Sequence, residues 1–172
     1  MEALPRQKAV LSDVLIDDVT WRCATRSRRA EWLQAIAELL QDSDFSAEST
    51  TPQVSLRGYV LIEAQRIHLA YHDPQGHELG HLQLSRPQIA PVFREYLKIL
   101  QNLGSSELPE YSPQFEALDI ARRLVHDDAA ELLQRESAGV YPSHKTARLL
   151  FTLLLLLTHD TTKMQATLVW PS

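Results

Sequence analysis

A chain of 172 residues is long enough for one domain that buries roughly two-thirds of its unfolded surface. Its 17 basic and 22 acidic side chains leave a net charge of -5, which argues against a dedicated nucleic-acid binder, because such proteins draw affinity from neutralising phosphates. The single cysteine, Cys23, excludes an internal disulfide and any zinc site built on several thiolates; with no signal-peptide pattern, the reducing cytoplasm is the expected compartment.

In chain order, Val10 to Asp17 alternates weakly and is rich in β-branched residues, so a first strand is expected there. Ser27 is placed to cap a helix running to about Gln41, with Trp32, Leu33, Ile36, Leu39 and Leu40 on one buried face. Residues 42–53, DSDFSAESTTPQ, read as a polar connector. Three strands then follow: Val54 to Glu63, Arg66 to His72 and Glu78 to Leu84. A two-residue turn at Ala64-Gln65 pairs Ile62 with Ile67 and Val60 with Leu69. An even-numbered loop through Asp73-Pro74-Gln75-Gly76 then pairs Ile67 with Leu82. In this register every apolar position falls on one side of an antiparallel meander, the side that helices must cover.

The second half is helical. Ser85, Pro87 and Pro91 mark a bent approach to a helix ending near Asn102 and Gly104. Ser112-Pro113 caps and opens the next helix, for which Gly139 is the expected stop, and Phe115, Leu118, Ala121, Val125, Ala129 and Leu132 form its apolar stripe. Ser143 caps a last helix whose body has no polar face beyond Arg148 and Thr152. The apolar run Leu149 to Leu157 falls short of the roughly 20 residues that span a bilayer, so no membrane is expected. A helix apolar all round belongs either at the centre of a core or in a subunit interface, and self-association through it is expected in the second case. The tail Ala166 to Trp170 adds either a short strand or an ordered end. The fold class is α+β: one globular domain over residues 1–172, with a small antiparallel sheet, a three-stranded meander with room for an N-terminal strand, packed against about four helices.

EALDIARRLVHDDAAELL at 116–133 and KTARLLFTL at 145–153, with a looser match in HLQLSRPQIAPVFREYLKI at 81–99, resemble a bacterial family catalogued as uncharacterised protein family number 0262. LIDD near the N-terminus, the helix followed by FSAES and the strand triplet fall in that family's order. His159 lies one residue later than a comparable family histidine, and Arg22 to Arg29 is more basic than the family pattern. The resemblance implies a fold and domain limits. It implies no mechanism, because the family has no established activity.

Three groups of residues invite a chemical reading. His68 facing His81 and His72 facing His77, on the polar side of the meander, could share a metal. Neither a carboxylate nor a group to orient the imidazoles accompanies them, so a solvated sheet face is expected and no native metal site. Arg122, Arg123, His126, Asp127 and Glu131 fall at spacings that place them on the polar face of one helix, and Arg148 can join them from the last helix. A histidine beside a carboxylate can move protons and an arginine can hold an anion; the same pattern also describes an ordinary helix face laced with ion pairs. Arg22, Arg26, Arg28 and Arg29 surround Cys23, either as a clamp for an acidic group or as a solvated loop.

No P-loop, GxGxxG, HExxH or GxSxG pattern occurs, and no cofactor is expected. Two functions remain open. One is a small interaction or regulatory module with a protein partner or a second copy of itself; Arg122, Arg123, His126, Glu131 and Arg148 are its candidate binding residues. The other is a small enzyme acting on an anionic or phosphorylated substrate through Arg123, His126 and a carboxylate.

Overall fold

The first strand starts earlier than its alternation suggests. In the computed structural model, which describes residues 3–104, 109 and 112–162, strand β1 runs Arg6–Ile16. Ala9 and Leu11 point inward, but a bulge between Leu11 and Asp13 then switches the inward parity to Val14. The bulged Ser12 donates its hydroxyl to the Leu56 carbonyl at 2.9 Å. One extra residue is enough to turn a strict period of two into the weak pattern seen in the sequence.

Two helices follow. The one-turn α1 (Asp18–Cys23), absent from the sequence reading, is capped by Asp17, whose carboxylate accepts from the Thr20 amide and hydroxyl at 2.8 and 2.7 Å. Helix α2 (Arg26–Asp42) is capped by Thr25 rather than Ser27: the Thr25 hydroxyl accepts from the Arg28 amide, which moves the start back by two residues. Trp32, Ile36 and Leu39 are buried as expected, whereas Leu33 is 55% exposed. The supposed connector contains strand β2 (Phe45–Glu48), whose Phe45 and Ala47 turn inward between polar neighbours. At four residues it is too short for its alternation to stand out from a polar tract.

The meander is present as β3 (Val54–Ile62), β4 (Arg66–His72) and β5 (Glu78–Ser85). Val60 pairs with Leu69 and Ile62 with Ile67, but Ile67 pairs with Leu84 and Leu69 with Leu82, a shift of two residues from the expected β4–β5 register. Asp73 and His77 close a three-residue loop with Gly76 at φ 88°, and a bulge beside His72 adds one more residue. An odd loop plus a one-residue bulge preserves parity, so the apolar side is unchanged while the partners move.

The remaining elements are α3 (Arg86–Leu103), α4 (Pro113–Arg135), the two-residue β6 (Ser137–Ala138), β7 (Val140–Pro142) and α5 (His144–Thr158). Ser112 and Ser143 cap α4 and α5 through their hydroxyls, as their positions before each helix implied. Helix α4 ends at Arg135, so Gly139 is not its stop. At φ 79° it sits between β6 and β7.

That position changes the architecture. The sheet is not a small meander with one added strand: among the described residues seven strands lie in the order β6-β5-β4-β3-β1-β2-β7, with β1 and β3 parallel and the other pairs antiparallel. Because β6 and β7 are separated only by Gly139, one short segment binds both edges and the sheet nearly closes into a barrel. With five helices among the described residues, the class remains a mixed α and β single domain.

Helix α5 lies in the concavity of the sheet. Leu150, Leu153 and Leu154 meet Leu11, Val14, Val60, Leu69 and Tyr71, and Phe151 stacks on Phe93 of α3 at a centroid distance of 5.3 Å. Leu150, Phe151, Leu153, Leu154 and Leu157 are all buried within the chain. The surplus apolar surface that suggested self-association through α5 is therefore covered by the protein's own sheet and helices. The last carbonyls of α5 are also occupied: the Trp32 indole donates to Leu156 O at 2.8 Å, and Arg28 donates to Leu156 O and Leu157 O at 3.3 Å. A guanidinium at a helix C-terminus also complements the macrodipole. Among the described residues no helix is long and apolar enough to cross a membrane. The tail, 166–170, lies outside the described residues.

Candidate functional site

The helix α4 constellation does not form one polar face. Arg122 donates to the Asp119 carboxylate at 2.9 and 3.1 Å, and Arg123 pairs with the same group. These bonds, Arg122's first, hold Asp119 below its ordinary carboxylate range. The Arg123 side chain is 62% exposed, Glu131 is exposed, and Ile120 and Leu124 emerge beside them on the outside of the protein. His126, expected to share this face, is only 1% exposed. It points into the protein between Tyr96 of α3 and Phe151 of α5, with ring centroids at 5.2 and 5.5 Å. Helix α4 packs against both α3 and α5, so its buried face extends past the apolar stripe and takes in the residue beside Val125.

One residue engages both nitrogens of His126. Nε2 lies 3.0 Å from the Arg148 carbonyl, an acceptor, so Nε2 carries the proton; Nδ1 then offers its lone pair to the Arg148 guanidinium at 3.4 Å. Burial lowers the imidazole from 6.5 to about 4, with the nearby charges of Arg148 and Arg122 acting in the same direction. His126 is thus a neutral structural group at physiological pH.

The consequence for stability has a definite sign. The folded pKa lies below the unfolded one, so the unfolded chain binds more protons between the two values and stability falls as pH drops from about 6.5 towards 4. The loss should approach roughly 3 kcal/mol. Chemical denaturation across this range should show that slope reduced in His126→Gln; an unchanged slope would refute the assignment.

His126 and Arg148 also line a cleft. Helix α5 forms its floor with Leu149 and Thr152, and a cavity of about 490 Å³ opens between Glu38 and Asp42 of α2 on one wall and His144, Lys145 and Arg148 of α5 on the other. A second cavity of about 450 Å³ continues along α2 and α5, past Glu38 and Thr152, towards Ser27, Ala30 and Leu156. His144 reaches out of the cleft to Asp127 of α4 at 3.0 Å, and Arg148 lies 3.8 Å from the same carboxylate. These contacts, led by the His144 hydrogen bond, lower the Asp127 pKa. Of the five sequence candidates, then, His126 and Arg148 meet at the cleft, Arg122 lies mostly buried beside Asp119, and Arg123 and Glu131 face outward. Glu38, Asp42 and Lys145 were missed. Glu38 and Asp42 are one turn apart on the polar side of α2, but nothing local indicates that α5 lies opposite them.

The other groups are resolved in structural terms. Arg28 serves the end of α5, and Arg29 donates to Trp21 O and Arg22 O at 2.8 and 3.2 Å while covering the Trp21 ring. Arg22 donates to Asp18 O at 3.3 Å, so three members of the expected clamp are committed to backbone carbonyls. Cys23 is exposed. His68 faces Gln83 and His81 faces Ala70, leaving the two imidazoles as stacked diagonal neighbours with centroids 5.9 Å apart; His72 faces Glu78. Among the described residues no group of three or more His, Cys, Asp or Glu could hold a metal ion.

These elements define a class: a mixed α and β domain with a nearly closed seven-stranded sheet around a central helix, and a charged cleft between helices on its flank. Residues 8–160 match the profile of the Uncharacterised protein family (UPF0262), and the chain belongs to that family. It is 33% identical over 153 residues to a UPF0262 protein of Phenylobacterium zucineum, covering 88% of this chain and 94% of the relative. It is 30% identical over 149 residues to one of Caulobacter vibrioides, covering 86% and 91%. A UPF0262 protein of Erythrobacter litoralis is 30% identical over 158 residues, covering 86% and 94%. No solved structure matches the chain.

Proposed function

We propose that the protein is a small cytoplasmic interaction or regulatory module whose working surface is the cleft between α2, α4 and α5. The observation that carries this reading is a cavity of about 490 Å³ lined by charged side chains from two helices distant in sequence, with Glu38 and Asp42 facing Lys145 and Arg148. Such convergence in a concave site marks binding, whereas on the outside of α4 the exposed Arg123 shares Asp119 with the mostly buried Arg122. A second reading, an enzyme acting on an anionic or phosphorylated substrate, draws on the same concavity and on Arg148. It requires proton transfer by His126, which the double engagement by Arg148 opposes.

The test is affinity purification of the tagged full chain from its native cytoplasm, comparing two double variants. Lys145→Ala/Arg148→Ala should lose the bound partner or ligand while remaining folded by circular dichroism, with a lowered melting temperature because Arg148 also engages His126. Arg123→Ala/Glu131→Ala should keep the partner or ligand and a melting temperature close to the parent's. Retention by the first pair and loss by the second would move the working surface to the outside of α4.

A further inference from the structure

The charges of this cleft sit at the wrong ends of their helices. Asp42 is the last residue of α2 and Glu38 lies one turn before it, where the helix dipole is negative, and no basic residue occupies that last turn. His144 and Lys145 open α5, where the dipole is positive, and no acidic residue occupies that first turn. The two helix ends are stitched together: the Ser143 amide donates to Asp44 O at 2.9 Å, and the Asp44 amide donates to the Thr146 hydroxyl at 2.7 Å. Direct pairing across the cleft would relieve the mismatch. Yet among the described residues no ion pair joins Glu38 or Asp42 to His144, Lys145 or Arg148, and the cavity keeps the walls apart. Among the described residues the Glu38 carboxylate accepts a hydrogen bond from Gln34 on its own helix, at 3.2 Å. Glu38 and Asp42 on one wall and Lys145 on the other are opposite charges set against their local helix preferences with no ion pair between them, and Arg148, which also contacts Asp127 and His126, lines the same space; together they match a ligand carrying both signs.

We propose that the cleft binds a small zwitterion, its ammonium group against Glu38 and Asp42 and its carboxylate or other anionic group against Lys145 and Arg148. The volume suits a free amino acid or a short peptide of similar charge. Leu149 and Thr152 on the floor would receive the apolar part of the ligand, and the neutral His126 ring closes the end nearest α4. This inference rests on the cleft being the working surface.

The probes are the twenty standard free amino acids at millimolar concentration, added to the full chain and followed by thermal shift and by NMR chemical-shift perturbation. At least one should bind saturably, and its N-acetyl and amide derivatives, each lacking one charge, should bind about tenfold more weakly or worse. Glu38→Gln/Asp42→Asn should abolish the preference over the N-acetyl form. Lys145→Gln/Arg148→Gln should abolish the preference over the amide. These are exposed or half-exposed positions, and circular dichroism confirms that each variant is folded. The proposal is overturned if no amino acid binds, if acetate or inorganic phosphate alone binds as tightly, or if neither wall alters the preference. Should no amino acid bind while partner capture still depends on Lys145 and Arg148, the zwitterion falls and the cleft stands. Should both fail, both fall.

Discussion

Gly80→Ala should destabilise the protein by ~3 kcal/mol or more, enough to lower its denaturation midpoint sharply or prevent accumulation of folded chain. A Cβ at Gly80 would lie 2.5 Å from Ala138 O and 2.8 Å from the Gly139 carbonyl carbon, and closer still to the Val140 amide nitrogen. These are backbone atoms at the seam where β6 and β7 join the two sheet edges, so no rotamer change can make room. Gly139 supports the seam from the other side: its positive φ suits glycine, and a Cβ there would strike Leu79 O. Gly58→Ala is the control. Its Cβ would meet only side-chain atoms of Leu69, Leu11 and Val14, at 3.4 to 3.7 Å, and should cost at most about 1 kcal/mol. Equal midpoints for the Gly80 and Gly58 variants would contradict the closure described above.

Leu154→Ala should cost about 2–5 kcal/mol, since truncation removes buried methyl groups and leaves a cavity that rigid surroundings only partly fill. Leu154 is fully buried between α5 and the concave face of the sheet. Leu33→Ala should change stability by no more than about 0.5 kcal/mol, because that side chain is already largely in water. Helical spacing alone gives both leucines a place in the core, so the pair tests the packing itself. Urea denaturation of both variants against the parent decides it. A costly Leu33→Ala would mean that another surface covers α2.

Some signals confined to one turn of chain were legible. Ser112 and Ser143 read as caps because each hydroxyl stands directly before its helix, with Pro113 fixing the start of α4, whereas a second hydroxyl two residues away let Ser27 be mistaken for the Thr25 cap. The side of the meander that is buried followed from parity alone. Partners separated by long stretches were not. Strands β2, β6 and β7 are four, two and three residues long, and they exist because other strands offer edges to them, not because of any pattern of their own. The same limit governs the site. The sequence identified His126 and Arg148 as chemically unusual but placed His126 on a wet face, because a helical wheel does not reveal that α4 is covered from two directions. Glu38 and Asp42 acquire their significance only from a helix about a hundred residues further along the chain.

Closure of the sheet by residues 137–142 also sets an order on the making of the protein. A nascent chain that has emerged only as far as Arg135 already carries β1 to β5, but the outer edges of β2 and β5 have no partners until the next seven residues appear. During that interval both edges offer unpaired amides and carbonyls, the surfaces from which strands of different molecules join. A chain cut short at this point therefore loses more than its last helix: it retains a sheet with two open sides and becomes a template for aggregation.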